Sequence, residues 1–154
     1  MAYKLDHIGI VVRNIEEAAK LYGDLLGLTP WSKGISAFPH VGIKQVQLRK
    51  GDDFGNNFIE LLEPIKNEEG VETIFSTHLK ERGEGLFHIS VFIDDYDKRI
   101  SELRKKGFTV EEWRDENLFP GHTLRMGWLQ PKDTHGVWIE FVDATALPEF
   151  YKTL

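Results

Sequence analysis

The spacing of hydrophobic residues along this chain changes repeatedly, and each change marks an element. Leu5 to Val12 is β-rich and apolar on both faces, the pattern of a strand covered by a helix on one side and lining a cavity on the other. Asn14 breaks the run. With Glu17 three residues on, it reads as an N-cap in a capping-box arrangement, followed by Ile15, Ala18, Tyr22 and Leu25 on one helical face and by Gly27 as the stop. Strands are predicted near 29–38, 42–50 and 57–63, the last two separated by turn-rich residues 51–57, so the first module is βαβββ. A connecting helix over roughly 71–79, with Ile74, Phe75 and His78 inward, ends at Gly83-Glu84-Gly85. The order then repeats: a strand at 86–93, a helix over about 96–106 with Tyr96, Ile100 and Leu103 inward, Gly107 in the relative place of Gly27, and strands near 108–114, 121–129 and 136–142. No low-complexity linker separates the modules, about 3–64 and 84–144. The pattern predicts one α+β domain over 1–154, with the tail from Pro148 to Leu154 too short to place.

The repetition extends to individual residues. Leu5-Asp6-His7-Ile8-Gly9-Ile10-Val11-Val12 matches Leu86-Phe87-His88-Ile89-Ser90-Val91-Phe92-Ile93, and Phe58-Ile59-Glu60-Leu61-Leu62 matches Trp138-Ile139-Glu140-Phe141-Val142. Each copy holds one His and one Glu, 53 residues apart in the first (7 to 60) and 52 in the second (88 to 140). Strand parity sets their direction. If Ile8, Ile10 and Val12 face the first helix, then His7, Gly9 and Val11 face away from it, and the same alternation puts Glu60, His88 and Glu140 on the faces opposite the helices. In a sheet curved into a cup with helices outside, all four converge among Phe58, Leu62, Trp138 and Val142. Unpaired, they would be costly to bury there; one divalent cation satisfies all four and offsets the two carboxylates.

Composition narrows the classes. The formal net charge is −6, and there is no basic run longer than Arg104-Lys105-Lys106, which argues against a nucleic-acid partner. No cysteine is present, which removes disulfides, thiolate metal sites and a cysteine nucleophile. No apolar run is long enough to span a bilayer, and the chain enters a strand pattern at once, so the expectation is a cytoplasmic protein with no membrane association.

With these residues in place, the chain resembles the vicinal oxygen chelate (glyoxalase/bleomycin resistance/dioxygenase) superfamily, in its methylmalonyl-CoA epimerase and glyoxalase I branch. The segments that carry the resemblance are Leu5 to Val12, Leu25-Leu26-Gly27-Leu28, Ile59-Glu60-Leu61-Leu62-Glu63-Pro64, Gly83 to Ile89 and Pro131 to Glu140, which together span nearly the whole chain. The stretch from Lys80 to His88 looks more like the epimerases. The resemblance implies paired βαβββ modules forming a cup, and a metal held by His7, Glu60, His88 and Glu140. It further implies removal of a proton next to a carbonyl through a metal-stabilised enolate, most naturally in a methylmalonyl-CoA-type acyl-CoA. Glu140 or Glu60 is then the candidate base, and Co, Ni, Mn, Zn and Mg all suit such a ligand set. Family resemblance also suggests a homodimer.

The chain departs from the epimerase pattern at two places. Epimerase-like sequences often have Gln where Glu60 stands, and commonly have a Glu, a candidate second acid/base, where His40 aligns; imidazole can serve there because it titrates near neutrality. Two alternatives stay open: a glyoxalase I-like lactoylthiol lyase, and a non-enzymatic small-molecule binder of the resistance type. Ring-cleaving dioxygenases resemble the chain less, because their triad of two His and one carboxylate needs the position that Glu60 would crowd. The aromatics Trp31, Phe38, Phe54, Trp113, Phe119, Trp128 and Trp138 leave room for a bulky substrate if they line the cavity. Glu63 reads as a solvated strand-end residue, Lys44 and Lys132 as solvated lysines, His78 as a helix-face residue, and His122 and His135 as turn residues.

Overall fold

The computed structural model describes residues 3–31, 34–51, 57–116 and 121–147. Expectations for most of the turn-rich stretch before 57, for Phe54 and Phe119, and for the tail from Pro148 lie outside the described residues. Nine strands and three α-helices occur among those that are described, a mixed α+β fold. They fall into two compact units, one of His7–Phe87 and one of Met1–Asp6 with His88–Leu154.

In the first unit the elements follow in the order β1 (Tyr3–Val11, entering at His7), α1 (Ile15–Leu26), β2 (Thr29–Pro30), β3 (Ser36–Phe38), β4 (Ile43–Arg49), β5 (Phe58–Pro64) and α2 (Ile74–Arg82). β1 and β5 pair in parallel with Ile8 opposite Ile59 and Ile10 opposite Leu61, β4 runs antiparallel to β5, and β2 and β3 each pair antiparallel with β4. The helix face of this sheet carries Ile10, Val12, Val46, Leu48, Ile59 and Leu61 against Ile15, Ala18, Ala19 and Tyr22 of α1. Strand alternation read from sequence is realised at Ile10, Val12, Ile59 and Leu61, whereas Ile8, expected on the same face, is 37% exposed and outside this core. The Asn14 side chain accepts the Glu17 N–H at 3.0 Å, and Gly27 closes α1 in the left-handed region at φ 66°.

Four sequence expectations need correction here. The strand predicted at 29–38 is two short pieces: Pro30 has no N–H for a ladder, and Gly34 turns the chain at φ 72°, a conformation that suits glycine. Leu25 is 69% exposed, because at 3.6 residues per turn it sits about 80° around the helix from Ile15, at the margin of the packed stripe. Glu63 is not solvated. Its odd position places it on the helix side of β5, where Oε2 accepts the Ile15 N–H at the start of α1 (2.9 Å) and Oε1 accepts from Lys44 Nζ (2.9 Å). A carboxylate there meets an otherwise unpaired amide and the positive end of the helix dipole. The Lys44 ammonium is held above its ordinary range by this bond, although the lysine is itself open to water. α2 starts later than expected because Thr73 caps it reciprocally with Ser76, and it buries Phe75 and His78.

The second unit repeats the plan with β6 (Gly85–Ile93, entering at His88), α3 (Tyr96–Lys105), β7 (Val110–Asp115), β8 (Leu124–Leu129) and β9 (Trp138–Asp143). β6 and β9 are parallel, β8 is antiparallel to β9, and β7 is antiparallel to β8. Val91, Ile93, Val110, Leu129, Ile139 and Phe141 pack against Tyr96, Ile100 and Leu103 of α3. The Arg99 guanidinium of α3 lies 5.4 Å from the Tyr3 ring, tying the first residues of the chain into this unit. His135 adopts a positive φ of 56° in an exposed turn, and His122 is exposed, both as read from sequence.

Two outcomes follow for stability. Glu63→Ala should lower the urea-unfolding free energy by about 1–2 kcal/mol, since it strands the Ile15 amide, while Lys44→Ala should cost less than Glu63→Ala, because water screens the pair on the lysine's side. Burial, reinforced by Arg82, pushes the His78 imidazole below the usual histidine range. The unfolded chain then takes up that proton more readily, so this contribution is full above the unfolded value near 6.5 and is lost as pH falls through it towards the folded value. His78→Gln should show a smaller loss of thermal midpoint between about pH 7 and pH 5 than the parent chain.

Candidate functional site

Each unit buries one His and one Glu on the sheet face away from its helix, and each places them by the same register. On β1 and β5, His7 lies opposite Phe58 and Gly9 opposite Glu60; on β6 and β9, His88 lies opposite Trp138 and Ser90 opposite Glu140. The glutamate thus sits one like-facing step diagonal from the histidine in both units. His7 Nε2 is 3.3 Å from Glu60 Oε2, and His88 Nε2 is 3.9 Å from Glu140 Oε2. All four residues are between 2% and 7% exposed. Ionised carboxylates so far from water require partners, and in each pair an imidazole nitrogen and a carboxylate oxygen face one another. That arrangement is open to a protonated imidazole, or to a cation that takes both atoms as ligands. The donor set of neutral imidazoles and carboxylates, with no thiolate anywhere in the chain, fits a hard or borderline divalent ion.

The surroundings of the two pairs differ. In the first unit the His7 ring stacks on Phe58, with centroids 4.7 Å apart and 22° between the planes. The guanidinium of Arg49, only 2% exposed, lies 3.9 Å above the same Phe58 ring and 5.1 Å from Trp31. Arg49 Nε and Nη2 both donate to Gln47 Oε1, at 3.3 and 3.0 Å, and Gln47 is the β4 neighbour of Glu60. A buried cation therefore braces the ring that orients His7 and the amide that flanks Glu60. In the second unit His88 meets Trp128 edge-on at 5.2 Å, and Trp128 touches Trp113 and Trp138 at 5.8 and 6.1 Å. Ser90, fully buried, stands beside Glu140.

Sequence reasoning did not single out Arg49, Gln47 or Ser90. Gln45, Gln47 and Arg49 alternate with Val46 and Leu48, which reads as a polar face turned to water; the face in question is the one that carries Glu60. The signal present but unused was that His7 and Glu60 had already marked this face as buried. His40 lies in the turn between β3 and β4, exposed, with its ring edge-on to Phe38 at 6.1 Å. Phe38 pairs with Ile43 and so shares the Glu60 face of the sheet, at the other end of β4 from Gln47.

The sequence profile of the Glyoxalase/Bleomycin resistance protein/Dioxygenase superfamily matches residues 6–123. The mitochondrial methylmalonyl-CoA epimerase of Mus musculus is 26% identical over 141 residues, covering 92% of this chain and 73% of the mouse protein. Among solved structures, methylmalonyl-CoA epimerase from Mycobacterium tuberculosis superposes with a TM-score of 0.72 at 26% identity, over 96% of this chain and 91% of that one. A Streptomyces coelicolor methylmalonyl-CoA epimerase variant in complex with 2-nitronate-propionyl-CoA gives a TM-score of 0.73 at 28% identity, over 94% and 96% of the two chains.

Truncating the buried brace should be felt at once. Arg49→Ala leaves a void against Phe58 and an unbonded Gln47 carbonyl, and should cost about 2–4 kcal/mol by chemical denaturation. Arg49→Lys should recover only part of this, since an ammonium cannot spread over the ring or donate in the same fork.

Proposed function

We propose that this chain, which belongs to the glyoxalase/bleomycin resistance protein/dioxygenase superfamily, is a metal-dependent epimerase that removes and returns the proton next to the carbonyl of a methylmalonyl-type acyl-CoA. In this reading His7, Glu60, His88 and Glu140 hold one divalent cation. The observation that carries it is the duplicated His–Glu pair, buried and set at the same diagonal register in both units. His7, Glu60 and His88 are donors of a kind able to hold a metal ion. The named relatives support the choice of substrate class: they are methylmalonyl-CoA epimerases, one of them in complex with an acyl-CoA.

When bound, such a cation supplies Lewis-acid stabilisation of the carbonyl oxygen as negative charge builds on it. The chain's own groups handle the proton. A glutamate carboxylate, Glu140 or Glu60, accepts it from the α-carbon while the bonding electrons move towards the carbonyl oxygen; a second acid on the other face of the substrate returns a proton to that carbon. His40 is our candidate for the second acid. Gln47, beside Glu60, and Ile43, beside Phe38 and the His40 turn, are four residues apart on β4, roughly 13 Å along the strand. His40 at that end would act across a bound substrate rather than as a neighbour of Glu60.

A second reading has a specific observation in its favour. A carboxylate at position 60 and imidazole at position 40 depart from the epimerase pattern, and carboxylate at the first of these also occurs elsewhere in the superfamily, so a glyoxalase I-like lyase acting on a thiol hemithioacetal is the competing assignment.

In heavy water, the metal-loaded chain should exchange the α-proton of methylmalonyl-CoA or a related acyl-CoA for deuterium, followed by proton NMR. Glu140→Gln should slow exchange at least about a hundredfold. His40→Gln should leave wash-in of deuterium largely intact while slowing inversion of configuration. No exchange with any acyl-CoA, together with turnover of methylglyoxal in the presence of a thiol, would favour the lyase instead.

A further inference from the structure

The two His–Glu pairs are held by strands of matched register, yet the residue beside each glutamate on the neighbouring parallel strand differs. Beside Glu60 it is Gly9; beside Glu140 it is Ser90. Ser90 is 0% exposed, and its hydroxyl has no hydrogen-bond partner among the described residues. A buried hydroxyl left unbonded costs on the order of 1–3 kcal/mol, so an alanine in this place would make the empty chain more stable. Serine here is therefore a feature that the packing of β6 does not explain.

Within the second unit, the acceptor that Ser90 can serve is identifiable. Its neighbours along the same face of β6 are His88 and Phe92, and its partner across the ladder to β9 is Glu140. An ionised carboxylate only accepts hydrogen bonds and has room for several, one oxygen serving a cation while the other receives a hydroxyl. Glu140 Oε2 faces His88 Nε2, and a carboxylate has lone pairs enough to accept from Ser90 as well.

From this we infer that Ser90 is a positioning residue: its hydroxyl donates to the Glu140 carboxylate when that carboxylate binds the cation, and so fixes Glu140 as a ligand. Gly9 offers no such donor to Glu60, so the duplicated pairs differ at this position. The inference rests on the metal-binding reading above and adds to it how Glu140 is held. Partners that orient a ligating group are typically worth about 10–100-fold in metal affinity.

The test compares Ser90→Ala with the parent chain in two measurements, calorimetric titration with Mn2+ or Co2+ and thermal unfolding of the metal-free form. Ser90→Ala should bind the ion about 10–100-fold more weakly while the metal-free chain stays as stable or becomes more so. A hydroxyl that is only a buried irregularity would move stability and leave affinity alone. In a Glu140→Ala background the affinity effect of Ser90→Ala should vanish, since no carboxylate remains to be positioned. Equal affinity for Ser90→Ala and the parent chain overturns the inference and leaves the metal site standing. A parent chain that binds neither ion overturns both.

Discussion

The proposed site depends on each unit committing one face of its strands to a helix. Once Ile10, Val12, Ile59 and Leu61 are used to bury α1, and Val91, Ile93, Ile139 and Phe141 to bury α3, the alternation of a β-strand leaves no choice about the remaining face. His7, Glu60, His88 and Glu140 fall on it, and a slip of one residue in any of these strands would exchange core for site. The parallel pairings β1 with β5 and β6 with β9 add the second constraint, because they fix the diagonal step from His to Glu at the same value in both units. Polar groups so deeply buried cost several kcal/mol when unsatisfied, so the fold must compensate by pairing them or by binding a cation.

Much of this was legible in the sequence because it rests on local rules. Parity, the Asn14 and Gly27 caps, and the repeat of a His strand followed by a Glu strand are short-range signals, and the structure reproduces them. What escaped depended on which face was wet. Glu63 reads from sequence as solvated, although its odd position next to Ile59 and Leu61 places it under the first turn of α1. Arg49 belongs to an alternating polar run that resembles an outward face, and only the three-dimensional neighbourhood of Phe58, Trp31 and Gln47 shows a guanidinium stacked in the interior. Leu25 erred the other way: an apolar residue at the edge of the helical stripe was counted as core.

The two pairs repeat, while the residues around them differ. One histidine is braced by Phe58 beneath a buried arginine; the other meets Trp128, itself in contact with Trp113 and Trp138. One glutamate stands beside Gly9, the other beside Ser90. A cationic aromatic stack lies near one pair and a tryptophan cluster near the other. In the proposed epimerase reading, His40, in a turn of the first unit, supplies an acid that the repeated His–Glu pairs do not.

The central proposal is that the two His–Glu pairs serve one cation. Metal stoichiometry combined with X-ray absorption on the cobalt-loaded chain tests it most directly. The account predicts one ion per chain with two imidazole nitrogens and oxygen donors in its coordination shell. Two ions per chain, each with a single imidazole, or an ion whose shell survives unchanged in the His88→Ala variant, would contradict it.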